Sequence, residues 1–446
     1  MKHPDTARAE AHGFATRQIH AGAELDDRHR PRATPIYLTA GFVFDDFEQA
    51  NERFVQSDDG YSYTRVGNPT NTAVERRIAD LEGGTGALLV GSGQAAVSTA
   101  ILALAGAGDH LVSAGSIYEG SRELFRDNFA RLGITTTFVA DANDPASWEA
   151  AIRPETRALF AESIPNPKND ILDIRAVAEV AHRHGIPLII DNTLATPYLL
   201  RPIEHGADIV VHSASKFLAG HGTVLGGVLV DAGRIDWTAA PDRYPHLAKN
   251  VGSDGRTFAE RSGRAAFLDY ARSVIALRQG PSPSPFNAFF ILQGIETLSL
   301  RVQRHSDSAQ RIAEWLEGHP SVESVDYSGL ASSRYHSLAQ QYLPRGQGSV
   351  FSFTLFGGRD AAKTFTDSLE LFTRMTHLGD VRSLVLHPAS TTHVNRSEED
   401  RATAGIGQGL LRVSIGLEDA ADLIADLDRA LAAVQAAELL ERAGIV

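Results

Sequence analysis

From Gly86 to Val230 the chain alternates short apolar runs with amphipathic stretches, and this alternation constrains the fold more than any other feature of the 446 residues. Ala87–Val90, His110–Ser113, Thr136–Val139, Ala158–Ala161, Pro187–Ile190, Ile209–Val211 and Val224–Val230 read as strands. Helices are expected between several of them. Ser121–Leu132 sets Leu124, Phe125, Phe129 and Leu132 on one stripe, and Asp173–His184 stops at Gly185. Strands alternating with helices predict an α/β fold, a mainly parallel sheet covered by helices.

The flanks read differently. Residues 1 to about 75 are rich in turn formers and aromatics without a sustained period, as expected of an extended arm lying on another surface. Arg234 to Pro285 reads as an irregular insertion ending in Pro281-Ser282-Pro283-Ser284-Pro285, where alternating prolines forbid a helix or a central strand. From Phe286 a long helix is expected to about Glu317, then strands at Ser349–Leu355, Ser383–His387 and Leu411–Ile415, and a last helix from Asp419. The expected division is an arm (1–75), an α/β domain (76–285) and a smaller α+β domain (286–446), in keeping with a chain too long for one core.

Composition removes several classes of function. A formal net charge of -13 without a long basic block argues against nucleic-acid and anionic-membrane partners. With no cysteine there can be no disulfide, zinc thiolate or thiol nucleophile. No apolar run approaches the roughly 20 residues needed to cross a bilayer, so a cytoplasmic protein is the simplest expectation. His182 and His184, two apart on a helix, face different sides, and no metal is assigned.

Chemistry concentrates at the expected strand ends. Lys216 follows the run at Val211 among hydroxyls and glycines, in His212-Ser213-Ala214-Ser215-Lys216. Desolvation there would lower its pKa and free the amine to attack a carbonyl, although a solvated loop lysine fits the same pattern. Asp191 ends Pro187–Ile190, and a carboxylate after such a run needs a partner. Pyridoxal 5'-phosphate (PLP) supplies one, because its ring nitrogen must stay protonated; capping a helix is the alternative for Asp191.

Ser92-Gly93-Gln94 opens a helix whose free amides suit a phosphate, with Ser213 and Ser215 adding hydroxyls. Gly91-x-Gly93-x-x-Ala96 also fits a dinucleotide fingerprint, which leaves an NAD-dependent dehydrogenase as a distant alternative. Arg412, inside the run Leu411–Ile415, needs an anion such as a substrate carboxylate or a structural acid, and Arg65 poses the same question. Tyr118 follows a strand where it would stack on a ring or settle into a core.

Taken together, Tyr63-Thr64-Arg65 with Asn68-Pro69-Thr70, Ser92-Gly93-Gln94, Asp191-Asn192-Thr193 and Ser213-Ala214-Ser215-Lys216 resemble the PLP-dependent enzymes of cysteine and methionine metabolism, the cystathionine γ-synthase-like family, over nearly the whole chain. Pro35-Ile36-Tyr37, Ser284–Phe289, Leu292–Thr297 and His387–His393 are similar to its O-acetylhomoserine sulfhydrylase branch. The resemblance implies a type I PLP-transferase fold with a seven-stranded sheet. It also implies γ-replacement on O-acetyl-L-homoserine by sulfide or methanethiol, with cystathionine γ-synthase, O-succinylhomoserine sulfhydrylase and methionine or cystathionine γ-lyase as alternatives.

It further implies that Lys216 carries PLP, that Asp191 meets the ring nitrogen, and that Tyr118 stacks on the ring and assists as acid or base. Gly93, Gln94, Ser213 and Ser215 would hold the phosphate, Ser92 would belong to the same cofactor site, Asn166 would lie near the cofactor hydroxyl, and Arg412 would grip the substrate carboxylate with Ser383 close by in the substrate site. Tyr63 and Arg65 would reach a neighbouring subunit's cofactor and substrate in a homotetramer. The chain departs from common family forms at Ser215, usually threonine, and at Glu119 and Ser121, usually glycine and threonine.

Overall fold

The structure is a computed structural model that describes residues 12–22, 29–54, 60–252 and 254–442. All seven expected strands of the first sheet form: β1 (Gly86–Val90), β2 (His110–Ala114), β3 (Thr135–Val139), β4 (Thr156–Glu162), β5 (Leu188–Asp191), β6 (Ile209–Ser213) and β7 (Gly227–Asp231). They pair in the order β1-β7-β6-β5-β4-β2-β3. β7 is antiparallel to both its neighbours and the remaining pairs are parallel. Near-continuous apolar strands such as Leu188–Ile190 and Ile209–Val211 are fully buried, as a sheet with helices on both faces requires.

This strand order removes the dinucleotide reading. Gly91–Ala96 does join a strand to a helix, but β1 lies at the sheet edge and pairs only with antiparallel β7. A dinucleotide fingerprint belongs to a strand with parallel neighbours on either side of a switch point.

A second sheet, of β8 (Val322–Asp326), β9 (Val350–Leu355), β10 (Thr373–Arg374), β11 (Leu384–Leu386) and β12 (Leu410–Ser414), is ordered β10-β11-β12-β9-β8. It packs with Ala309–Leu316 and the final helix Ala420–Arg442 around its own core, centred on Phe351, Phe353 and Phe365. β8 and β10 were not anticipated; β8 buries only Val322 and carries Glu323 and Ser324 exposed in succession, and β10 is two residues long.

Three expectations need correction. The single helix from Phe286 to Glu317 is two, Pro285–Glu296 and Leu298–Glu317, broken at Thr297 (φ -115°). Gly294 lies so close to the loop after Lys216 that a Cβ there would sit 2.3 Å from the Leu218 carbonyl oxygen, and the chain bends to fit. Ser121–Leu132 is helical but passes through a π-turn at Leu124–Phe129, which brings Phe125 and Phe129 into the core together. The insertion after Arg234 is not irregular throughout, since Phe258–Gln279 is a string of short helices whose Arg272 pairs with Glu75.

Of the expected arm, residues 1–11, 23–28 and 55–59 lie outside the described residues. Its last part, from Pro69, opens a buried helix (Pro69–Glu82) capped by the Asn68 side chain. Among the described residues of 36–54 and 60–66 several apolar side chains stay exposed, among them Leu38, Val43 and Phe47.

Candidate active site

The C-terminal ends of β1, β4, β5 and β6 converge, and each presents a residue of the site. Glu162 and Asp191 are registered partners on β4 and β5, so their carboxylates share one face. Burial, then the charge of Asp191, pushes the Glu162 carboxyl well above its ordinary pKa; burial likewise raises that of Asp191. Thr193 donates to Asp191 Oδ1 from its amide (2.9 Å) and its hydroxyl (2.5 Å), and no hydrogen bond among the described residues engages Oδ2. The same Thr193 hydroxyl accepts from the Ser213 amide at 2.8 Å, tying β5 to the start of the lysine loop.

Behind this row, Glu82 Oε1 accepts from Asn192 Nδ2 at 2.9 Å and lies 2.6 Å from His212 Nε2, with Glu82 and His212 wholly buried. Glu82 ends the helix Pro69–Glu82, Asn192 follows β5 directly and His212 lies on β6, so this buried cluster locks the sheet to its covering helix.

Lys216 Nζ lies 3.0 Å from His377 Nδ1. Burial, and next the charge of Arg412, lowers the Lys216 pKa to about 8, while burial and then the Lys216 charge lower His377 to about 4. His377 is therefore neutral at neutral pH. Arg301 holds the loop just beyond the lysine, donating to the carbonyls of Phe217 (2.9 Å) and Gly294 (2.6 Å). It thus joins the lysine loop to the last turn of Pro285–Glu296.

Arg412, on β12, is 4% exposed. It donates to Asn166 Oδ1 and to the carbonyls of Thr376 and His377, each at 3.2 Å. All three acceptors are neutral, and its Nε has no hydrogen-bond partner among the described residues. Among the described residues no structural acid pairs with Arg412, and its pKa falls to about 10 through desolvation. A buried guanidinium of this kind calls for an anion.

At the end of β1, Ser92 caps the helix Gly93–Leu102 by accepting from the Ala95 amide, and its carbonyl accepts from Ala96. The amides of Gly93 and Gln94 carry no hydrogen bond among the described residues. A Cβ on Gly93 would fall 2.7 Å from Ser213 Cβ, so only glycine lets this helix start approach Ser213. Gln94 is fixed through its side chain, donating to the Gly120 carbonyl and accepting from Ser121.

Tyr118 is half-exposed, its amide donating to Glu162 Oε1 at 2.6 Å. The Ser92 side chain is spent on its helix cap. Ser215 is buried, its hydroxyl engaged by the Gly226 amide and carbonyl. Ser383 is fully buried, donating to Glu418 Oε2 and accepting from the Gly416 amide. It immediately precedes β11, at the Leu384–Ser414 end rather than the Leu386–Arg412 end, and its hydroxyl ties β11 to the loop after β12. Tyr63 and Arg65 stack on each other (5.4 Å) in the arm, where Arg65 donates to the Leu277 carbonyl, and no hydrogen bond among the described residues joins them to the Lys216 cluster.

Glu162, His377 and Arg301 were missed. Glu162 carried the signal used for Asp191, a carboxylate ending an apolar run; His377 and Arg301 carried none.

The arrangement suits PLP. Two free amides at a helix start face a hydroxyl and a close glycine contact, a partly buried carboxylate keeps one oxygen unengaged, and a lysine of lowered pKa lies alongside. Comparison with known proteins agrees. The Cys/Met metabolism PLP-dependent enzyme family matches residues 15–432. The O-acetyl-L-homoserine sulfhydrylase of Corynebacterium glutamicum is 46% identical over 96% of this chain and 99% of its own. The homocysteine synthase of Schizosaccharomyces pombe is 43% identical over 95% and 99%. A crystal structure described as an O-acetylhomoserine (thiol)-lyase of Campylobacter jejuni, with a pyridoxyl-lysine monophosphate, superposes with a TM-score of 0.90 at 36% identity, covering 94% of this chain and all of that one. The match runs from the arm to the final helix and the relatives' lengths are almost wholly covered, so this chain belongs to the Cys/Met metabolism PLP-dependent enzyme family.

Proposed function

We propose that the enzyme replaces the acetoxy group of O-acetyl-L-homoserine with sulfide or methanethiol, giving L-homocysteine or methionine and acetate. The observation that carries this reading is Arg412, a buried cation with only neutral partners beside Lys216: a carboxylate on Arg412 brings an α-amine to the lysine. The choice of ester and of thiol follows the sulfhydrylase and homocysteine synthase relatives.

Lys216 would hold PLP, Asp191 would face the ring nitrogen, and Tyr118 would cover the ring. The Gly93 and Gln94 amides with the Ser213 hydroxyl would receive the phosphate, while Ser92 and Ser215 would support that cup from behind. When bound, the cofactor draws electron density away from Cα, so protons there become removable. Lys216, displaced by the substrate amine, removes the Cα proton as a neutral base and returns protons on the reverse path. Neutral His377 accepts a hydrogen bond from the lysine when it is charged and holds it near Cα. The Tyr118 hydroxyl moves a proton at the acetate or thiol side, and Asn166 keeps Arg412 aimed at the carboxylate.

The domain division at residues 75 and 285 belongs to the same reading. So does a cytoplasmic homotetramer in which Tyr63 and Arg65 complete a neighbour's site, an arrangement supported by the exposed apolar residues of the arm. The deciding experiment supplies O-acetyl-L-homoserine, O-succinyl-L-homoserine and methionine in turn, each with sulfide, methanethiol or cysteine. Homocysteine and acetate from the acetyl ester are expected to dominate. A main product of keto acid or cystathionine would replace this reading by a lyase or a cystathionine synthase.

A further inference from the structure

The residue after Tyr118 reaches across to the far half of the chain. Glu119 Oε2 accepts from Arg396 Nε at 2.9 Å and from Nη2 of the same guanidinium. The two side chains are only 11% and 12% exposed, so the pair is held in a shielded place where charge must be matched. Arg396 is borne on the loop after Pro388–Ser390, and that loop also carries His393, which is 5% exposed.

His393 senses the whole neighbourhood. Its pKa falls to about 4, first by desolvation and then by the charge of Arg396, with Glu119 opposing and Arg412 adding. Another cation beside the pair, Arg122, is already engaged over the Phe138 ring at 4.5 Å and with the Gly115 carbonyl. Glu119 and Arg396 thus cancel each other beside a neutral histidine that also feels the charge of Arg412, with Glu119 next to Tyr118 in the chain.

On the O-acylhomoserine reading, a substrate with its carboxylate on Arg412 and its amine at Lys216 would carry its γ-ester toward Tyr118, whose neighbour in the chain is Glu119. We propose that the Glu119–Arg396 pair sets the acyl specificity of the enzyme. Paired, it offers no counter-ion to the distal carboxylate of a dicarboxylic monoester such as succinyl, and it admits a short uncharged acyl group such as acetyl. This inference rests on the O-acylhomoserine reading above.

Two variants push in opposite directions. Glu119→Gln frees the Arg396 charge and should raise the ratio of kcat/KM for O-succinyl-L-homoserine over O-acetyl-L-homoserine by about tenfold or more. Arg396→Leu leaves Glu119 unpaired and should lower that ratio, and the double variant should return it toward the unsubstituted value. The ratio is read with sulfide as donor, and circular dichroism and visible cofactor absorbance report the fold. An unchanged ratio in whichever single variant folds overturns the inference, as does loss of the fold in both, which would give the pair a purely structural task. Failure of the unsubstituted enzyme to use either ester overturns the functional reading instead.

Discussion

Lys216 Nζ lies 3.0 Å from His377 Nδ1, and both groups have their charged forms disfavoured by burial. A neutral imidazole beside the amine offers a lone pair without adding a second charge. The lysine is therefore fixed in place while remaining close to neutrality at the pH where it must act as nucleophile and base.

The first prediction concerns this amine. The rate at which cofactor-free protein captures PLP should rise with pH and reach half its plateau near pH 8, since only the uncharged amine attacks. Stopped-flow absorbance measures it, and Lys216→Arg should abolish the visible band and turnover. A midpoint near the ordinary lysine value of 10.5 would show that the amine is not desolvated.

Arg412→Lys should lower kcat/KM by about a hundredfold, mostly through KM, because an ammonium cannot span Asn166 and two carbonyls while still offering a fork to a carboxylate. Arg412→Met should be at least as severe. Near-normal KM in the lysine variant would show that charge alone suffices there.

Glu162→Gln tests the buried carboxylate pair. A carboxyl whose folded pKa is raised keeps its proton where the unfolded chain has lost it, so its contribution to stability falls as pH climbs through the ordinary carboxylate range. Glutamine keeps an oxygen for the Tyr118 amide and removes the charge. The cofactor-free variant should gain about 1–3 kcal/mol at neutral pH, a gain that shrinks toward nothing as pH falls below about 4. Denaturant melts at two pH values check this, and a loss of stability at neutral pH would contradict it.

Gly93→Ala should weaken PLP binding at least about tenfold, because the new methyl meets both the Cβ and the Cα of Ser213 and pushes the helix start off the strand end. Fluorescence titration with PLP is the measurement. An affinity equal to that of the unsubstituted protein would show that the phosphate does not depend on this close approach.

Much of this was legible in the sequence where one residue's position follows from its strand. Asp191 and Lys216 end or follow apolar runs, so their place at one rim of the sheet could be read from period and length alone. Hydroxyls were less legible. Ser215 and Ser383 stood at expected places, yet where their oxygens point is decided by Gly226 and Glu418, which no local pattern indicates. The break at Thr297 was hidden for a similar reason, since it depends on how closely Gly294 approaches a loop some seventy residues earlier. Arg301 falls inside the helix expected from Phe286 to about Glu317, and only tertiary contact reveals that it binds the backbone beyond Lys216.

The position of β7 carries a consequence for how the polypeptide matures. β1 is the first strand synthesised, but its one neighbour in the sheet is β7, which begins at Gly227. A nascent chain must therefore hold an unpaired apolar strand through more than a hundred residues of growth, and the seat between Gly93 and Ser213 closes only when that late ribbon slides in. Cofactor capture then follows the docking of β7, so the appearance of cofactor absorbance would report when this sheet has closed, ahead of the second sheet that supplies His377 and Arg412.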